Sequence, residues 1–291
     1  MTYVRTMPGV LQELIEQLQL ERLEQNLFRG QSRDPGWGTV YGGQVLGQAL
    51  SAACQTVPKE RTAHSLHGYF LRPGDVKAPI IYDVDCIRDG KSFTTRRVVA
   101  IQHGQAIFNM AASFQVQEDG ADHQAEMPDA PAPDTLRSER ELAKTIADKI
   151  PEPLRSRALS ERPIEMRPVH PVNPLAPREG PPNQQVWCRS GEALPDETYL
   201  HQCLLAYASD SYLLGTAMRP HAMSPFRPEV QAASLDHSMW FHRSFRLDEW
   251  LLYNMDSPSA GGARGLARGQ FFDTKGRLVA STAQEGLMRR R

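Results

Sequence analysis

Within LLAYASDSYLLG (residues 204–215) one carboxylate, Asp210, stands among Leu204, Leu205, Tyr207, Leu213 and Leu214. The nearest basic side chains along the chain, His201 and Arg219, are nine residues away on either side. A carboxylate in an apolar setting costs free energy unless local groups satisfy it. Asp210 therefore either caps a helix end or is kept as a proton acceptor, and both readings are open at this level. A second chemical signal is Gly42-Gly43, which opens the apolar run GGQVLGQALSAACQ. A helix starting there presents free N–H groups and the positive end of its dipole to an anion or a developing oxyanion. A loop that needs glycine to turn gives the same pattern. His64 and His67 in HSLH, and the pair His237 and His242, sit at odd spacings. On a strand such pairs point to opposite faces, so they make poor metal ligands. They read as structural, with His64 kept as an alternative catalytic residue.

The familiar nucleophile and phosphate motifs are absent: no G-x-S-x-G elbow, no H-E-x-x-H and no G-x-x-x-x-G-K-[ST]. GWGTVYGG (36–43) approaches a dinucleotide fingerprint, but Tyr41 stands where the third glycine belongs and no βαβ unit surrounds it. The cysteines Cys54, Cys86, Cys188 and Cys203 form no C-x-x-C pair, so a zinc site and a disulfide framework are both poor readings. No metal and no cofactor is expected, and the compartment expected is the reducing cytoplasm. With 33 basic and 34 acidic residues the chain has no overall field to draw it to nucleic acid or an anionic membrane. No apolar run reaches the roughly 18–20 residues of a membrane span. The N-terminal segment carries Val10, Leu11, Leu14, Ile15 and Leu18 at helical spacing, interrupted by Glu13 and Glu16. It predicts an amphipathic helix with Pro8 near its start rather than a signal peptide. The ending Arg289-Arg290-Arg291 is no peroxisomal tripeptide.

An internal repeat organises the rest. HGYFLRPGDVKAPIIYDVD (67–85) aligns with SMWFHRSFRLDEWLLYNMD (238–256) at an offset of 171, matching Phe70 to Phe241, Arg72 to Arg243 and Tyr82 to Tyr253. RRVVAIQHGQAIFNMAAS (96–113) aligns with ARGQFFDTKGRLVASTAQE (267–285) once one residue is inserted at the hairpin. Each half reads as a short strand (23–30; 183–190), a helix (42–55; 197–210) and then strands separated by turns. That order predicts an α+β fold, a helix packed across an antiparallel sheet in each half, with the two sheet edges paired to cover both. The domain reading is 1–118, an acidic, Pro-rich linker at 119–160 with a short helix after Asp134 or Ser138, and 161–291.

YGGQVLGQAL, LRPGDVKAPIIYDV, DHSMWFHR and STAQEG, in this order, resemble the type II acyl-CoA thioesterases over nearly the whole chain. The resemblance implies a double hotdog, two consecutive domains each with a long helix wrapped by an antiparallel sheet. It implies hydrolysis of fatty acyl-CoA, medium to long chain, without metal or cofactor, by a homo-oligomer. It also implies three catalytic positions: Asp210 in YASD, Ser234 two residues before the Asp-His of the next strand, where many relatives carry Thr, and Gln284 in STAQEG. The repeat places Ala63 opposite Ser234 and Ala112 opposite Gln284, so one half alone carries the chemistry. Asp210 would act as general base on water or attack directly to give an anhydride. Gly42 and Gly43 would supply oxyanion or substrate contacts. The rivals are a hotdog acyl-CoA dehydratase or hydratase, and an acyl-CoA sensor that binds without turnover.

Overall fold

The computed structural model describes residues 9–34, 36, 38–152 and 154–291; Pro8 and Trp37 lie outside them. The first repeat holds α1 (Val10–Leu18), β1 (Glu21–Glu24), β2 (Leu27–Gly30), α2 (Gly42–Cys54), β3 (Arg61–Phe70), β4 (Ile80–Asp89), β5 (Phe93–Gln102) and β6 (Gln105–Val116). Two short helices follow, α3 (Glu139–Thr145) and α4 (Leu154–Leu159). The second repeat holds β7 (Ile164–Pro168), β8 (Asn183–Ser190), α5 (Thr198–Ser209), α6 (Leu213–Met218) and β9 (Val230–Ser234). It ends with β10 (Asp236–Phe241), β11 (Leu251–Gly261), β12 (Arg264–Asp273) and β13 (Leu278–Arg290).

These strands form one sheet in the order β1-β2-β4-β5-β6-β3-β10-β13-β12-β11-β8-β7, with β9 also paired to β13. The two halves meet edge to edge at β3 and β10, antiparallel, with His67 opposite Ser238. Those two residues are themselves related by the 171-residue offset, so the pair marks an approximate two-fold axis. Pairing the central edges leaves neither half with an open edge there.

The sheet wraps two central helices. α2 buries every residue from Gly43 to Ala53, and α5 buries every residue from Leu200 to Ser209 except Tyr207, as central helices enclosed on all sides do. They cross at close range because glycine allows it. A Cβ at Gly43 would collide with the Tyr207 carbonyl, and one at Gly47 would lie 3.0 Å from that of Cys203. Several polar side chains carried into this interior are satisfied: Ser51 Oγ donates to the Leu18 carbonyl (2.6 Å) and Gln48 Nε2 to that of Gln17 (2.7 Å). One continuous core runs through both halves, including Phe28, Leu46, Tyr82 and Phe108 from the first and Leu204, Leu205, Tyr253 and Phe271 from the second.

Two local differences from the sequence reading have simple causes. The segment 23–30 is not one strand but the end of a hairpin, since Gln25-Asn26 turn the chain between β1 and β2. Residues 119–160 hold the expected helix after Ser138, closed by a capping box with Glu141. They also hold α4, and they are not a free tether. Trp187 Nε1 donates to the Pro131 carbonyl (2.8 Å) and Gln124 Nε2 to that of Gly276 (2.7 Å), while Met127, Ala130 and Leu136 pack on the apolar cluster that includes Trp187 and Trp250. Extended, proline-rich backbone has unpaired carbonyls to offer, and the Trp187 indole takes one of them, while the Gln124 amide bonds a carbonyl of the second half in return.

Candidate active site

Asp210 is the C-cap of α5, half-buried, at the negative end of that helix dipole. A carboxylate there is disfavoured by about 0.3–1 kcal/mol. The opposing influence comes from the other half of the molecule. The N-terminus of α2 faces the same carboxylate so closely that a Cβ on Gly42 would lie 2.7 Å from Asp210 Oδ2. The first-turn N–H groups of a helix have no intrahelical acceptor, so Gly42 and Gly43 bring donors and positive potential to this corner. Tyr41, just before α2, ties the two helix ends together: its hydroxyl donates to the Tyr207 carbonyl (3.1 Å) and lies 2.9 Å from Ser211 Oγ. Two residues past Asp210, Tyr212 takes a left-handed backbone (φ +68°), a strain of about 1–3 kcal/mol. It is clamped there by the bond of its hydroxyl to Glu139 on α3 and by Gln184 Nε2 donating to its carbonyl (2.9 Å).

Ser234 and Gln284 reach Asp210 from the sheet. Ser234 closes β9, paired with Gly286, and the register with β13 then slips by one residue before β10, where Ser238 pairs with Ala283. Such a bulge re-aims the side chains beside it. Gln284 lies on the inner face of β13, 1% exposed. Ser234 Oγ donates to Asp210 Oδ1 (3.1 Å), and Gln284 Nε2 donates to the same oxygen (3.1 Å) and to Ser234 Oγ. The structure thus brings together Asp210, Ser234, Gln284 and Gly42. Both side-chain donors sit on Oδ1, which leaves Oδ2 turned toward α2.

His64 lies elsewhere. It occupies the extra residue of the matching bulge in β3, bonded to Ser113 Oγ (2.8 Å) with its ring edge on Phe93. The histidine that does reach the corner is His237, fully buried, with Nδ1 3.0 Å from Gln284 Oε1 and Nε2 3.0 Å from Ser209 Oγ. Burial pushes its pKa below the ordinary imidazole value. Reading it as structural passed over one signal: on β10 it alternates with Met239 and Phe241, so a polar ring faces inward with the apolar residues.

The first half shows how the same corner looks without this set. Ala63 pairs with Phe114 as Ser234 pairs with Gly286, and Arg96 pairs with Ala112 as Ala267 pairs with Gln284. The register therefore reproduces the equivalences read from the repeat. Where the second half has Ala267 and Gln284, the first has Arg96 and Ala112. The Arg96 guanidinium, almost fully buried, fills the space and bonds the Thr56 hydroxyl (2.9 Å), the Thr56 carbonyl (3.0 Å) and Asp89 (2.7 Å).

Comparison with known proteins agrees with this architecture. Residues 154–287 match the family model described as acyl-CoA thioesterase, and residues 33–115 match that of the acyl-CoA thioesterase N-terminal domain. The chain is 44% identical to acyl-CoA thioesterase 2 of Haemophilus influenzae, over 97% of this chain and 99% of that protein. It is 41% identical to acyl-coenzyme A thioesterase 8 of Homo sapiens, over 97% and 91% respectively. The crystal structure of an acyl-CoA thioesterase II from Mycobacterium marinum superimposes with a TM-score of 0.78 at 44% identity, covering 96% of this chain and 98% of that one. A hotdog protein from Alicyclobacillus acidocaldarius, only 16% identical, still gives 0.76 over 96% of this chain and 98% of that one, which speaks to the fold alone. With both halves matched and relatives this similar along nearly their whole length, the chain belongs to the acyl-CoA thioesterase II family and has its α+β double hotdog fold.

Proposed function

We propose that this protein hydrolyses fatty acyl-CoA thioesters of medium to long chain to free acid and CoA, at one site per chain, with Asp210, Ser234 and Gln284 as the catalytic set. One observation carries the reading: both side-chain donors converge on Asp210 Oδ1 and leave Oδ2 beside the N-terminus of α2. A water next to Oδ2 gives up a proton to it while attacking the thioester carbonyl carbon. Ser234 and Gln284 hold the plane of the carboxylate, so that base, water and carbonyl meet in line. The carbonyl oxygen gains negative charge and is received by the N–H groups of Gly42 and Gly43. When the tetrahedral intermediate collapses, the C–S bond breaks and the CoA sulfur leaves with the proton held by Asp210. Phe70, its ring tilted against that of Phe108 (centroids 4.9 Å apart) and abutting Gly42, offers the acyl chain an apolar wall. The same reading places a homo-oligomer in the cytoplasm, which size-exclusion with light scattering and cell fractionation would check. No helix among the described residues is long and apolar enough to cross a membrane.

The test is thiol release from acyl-CoAs of short to long chain, with the wild type and Asp210→Asn compared at equal thermal stability. Loss of turnover by about 10²–10⁴-fold in the variant is expected. Equal turnover would remove Asp210 from the chemistry, and no turnover by the wild type on any chain length would leave an acyl-CoA binder.

A further inference from the structure

We propose that His237 is a positioning residue for this hydrolysis, its Nδ1–H holding the Gln284 amide in the orientation that aims both amide hydrogens at Asp210 and Ser234. This rests on the catalytic set just proposed. The two ends of an amide differ: the oxygen only accepts and the nitrogen only donates. Gln284 Nε2 has both hydrogens engaged, one with Asp210 Oδ1 and one with Ser234 Oγ, so its oxygen must take a donor from the other side. His237 Nδ1, 3.0 Å away, is that donor.

The proton chain can be drawn in two directions. In one, Ser209 Oγ donates to His237 Nε2, Nδ1–H donates to Gln284 Oε1, and the amide nitrogen faces Asp210. In the other, Nε2–H donates to Ser209 Oγ, which donates to the Ala206 carbonyl (2.9 Å), and the amide is reversed. The reversed amide would set its oxygen 3.1 Å from Asp210 Oδ1 with no hydrogen between them. Two negative oxygens at that distance repel strongly in a poorly solvated corner, so ionised Asp210 selects the first arrangement. A buried imidazole is held neutral, and a neutral ring has one N–H to place. Ser209 immediately precedes Asp210, so the ring also fastens β10 to the last turn of α5, and the Ser209 carbonyl is in turn held by the Tyr253 hydroxyl (3.0 Å).

Three substitutions separate positioning from packing. In His237→Asn the amide nitrogen falls near the place of Nδ1 and keeps the donor to Gln284. In His237→Gln the side-chain end falls near Nε2, which keeps Ser209 and releases Gln284. His237→Leu removes both. Thiol release should show kcat lowered by about 10–100-fold in the Gln and Leu variants, with KM within about twofold of wild type and the Asn variant within about threefold. In a Gln284→Ala background, His237→Gln should lower kcat no further. The imidazole ¹⁵N shifts of the wild type should report the Nδ1–H tautomer. Equal losses in the Asn and Gln variants, multiplied losses in the Gln284→Ala background, wild-type kcat in His237→Gln, or an Nε2–H tautomer would each overturn the proposal. Asp210→Asn is assayed beside them: turnover lost there but kept in His237→Gln rejects this inference alone, whereas turnover kept in Asp210→Asn rejects the catalytic set itself.

Discussion

Adding one methyl group at Gly42 is the sharpest perturbation the site offers. Helix propensity favours Gly42→Ala in stability, by up to about 1 kcal/mol. The new Cβ would nevertheless stand 2.7 Å from Asp210 Oδ2 and 3.1 Å from a ring carbon of Phe70, where ordinary contact begins near 3.4 Å. The carboxylate must therefore retreat by about 0.7 Å, or α2 must shift as a whole. A retreat of that size stretches the 3.1 Å bonds from Ser234 and Gln284 and takes Oδ2 out of line with a water at the helix N-terminus. Misplacement by about 1 Å costs on the order of 10² in rate, so a fall in kcat of about 10–100-fold is expected, with thermal stability within about 1 kcal/mol of wild type. Gly47→Ala is the control. Its Cβ meets the Cys203 carbonyl and Leu18 Cδ2 at 3.0 Å, away from Asp210, so it should cost about 1–3 kcal/mol of stability and leave kcat of the folded protein unchanged. Thiol-release kinetics paired with thermal unfolding reads both. If Gly42→Ala turned over like the wild type, or if both variants lost kcat in proportion to stability, the contact between Gly42 and Asp210 would have no part in catalysis.

Arg96→Ala, in the first half, leaves a cavity and strands the Thr56 carbonyl that the guanidinium satisfies, so a loss of about 2–5 kcal/mol is expected with kcat per folded molecule unchanged; lower kcat at intact stability would place chemistry in that half too. Burial holds His64, His201, His237 and His242 below the ordinary imidazole pKa. Their release on unfolding makes the unfolded chain bind more protons once the pH drops below about 6.5. Stability should therefore fall between about pH 7 and pH 5 and level off below the folded-state values; thermal unfolding across that range checks it, and a flat or rising profile would contradict the assignment.

Much of the architecture was legible because it rests on local pattern. The alternation and turn residues of 61–116 and 230–290 spell strands, and the largely apolar runs 42–54 and 198–209 spell buried helices. Even the pairing of the halves could be anticipated, since a repeat with an open edge has its own copy available to close it. The site was legible only in part. Ser234 and Gln284 stood out through family resemblance and through their contrast with Ala63 and Ala112. His237 did not, because its partner Gln284 is 47 residues away and nothing in a strand pattern says which inward polar groups will meet.

Residue order by itself therefore determined the elements, their two-fold repetition and the half that keeps the polar set, since these depend on periodicity and on which side chains are present. Tertiary structure decided what those side chains do to each other. Asp210 ends one helix at an electrostatically unfavourable place, and α2, more than 150 residues earlier, arrives with its N-terminus against the same carboxylate. That approach depends on glycines at 43 and 47 meeting the backbone of α5 across the two-fold axis. A contact between two backbones leaves no periodic trace in either sequence segment, so only the folded chain could reveal it.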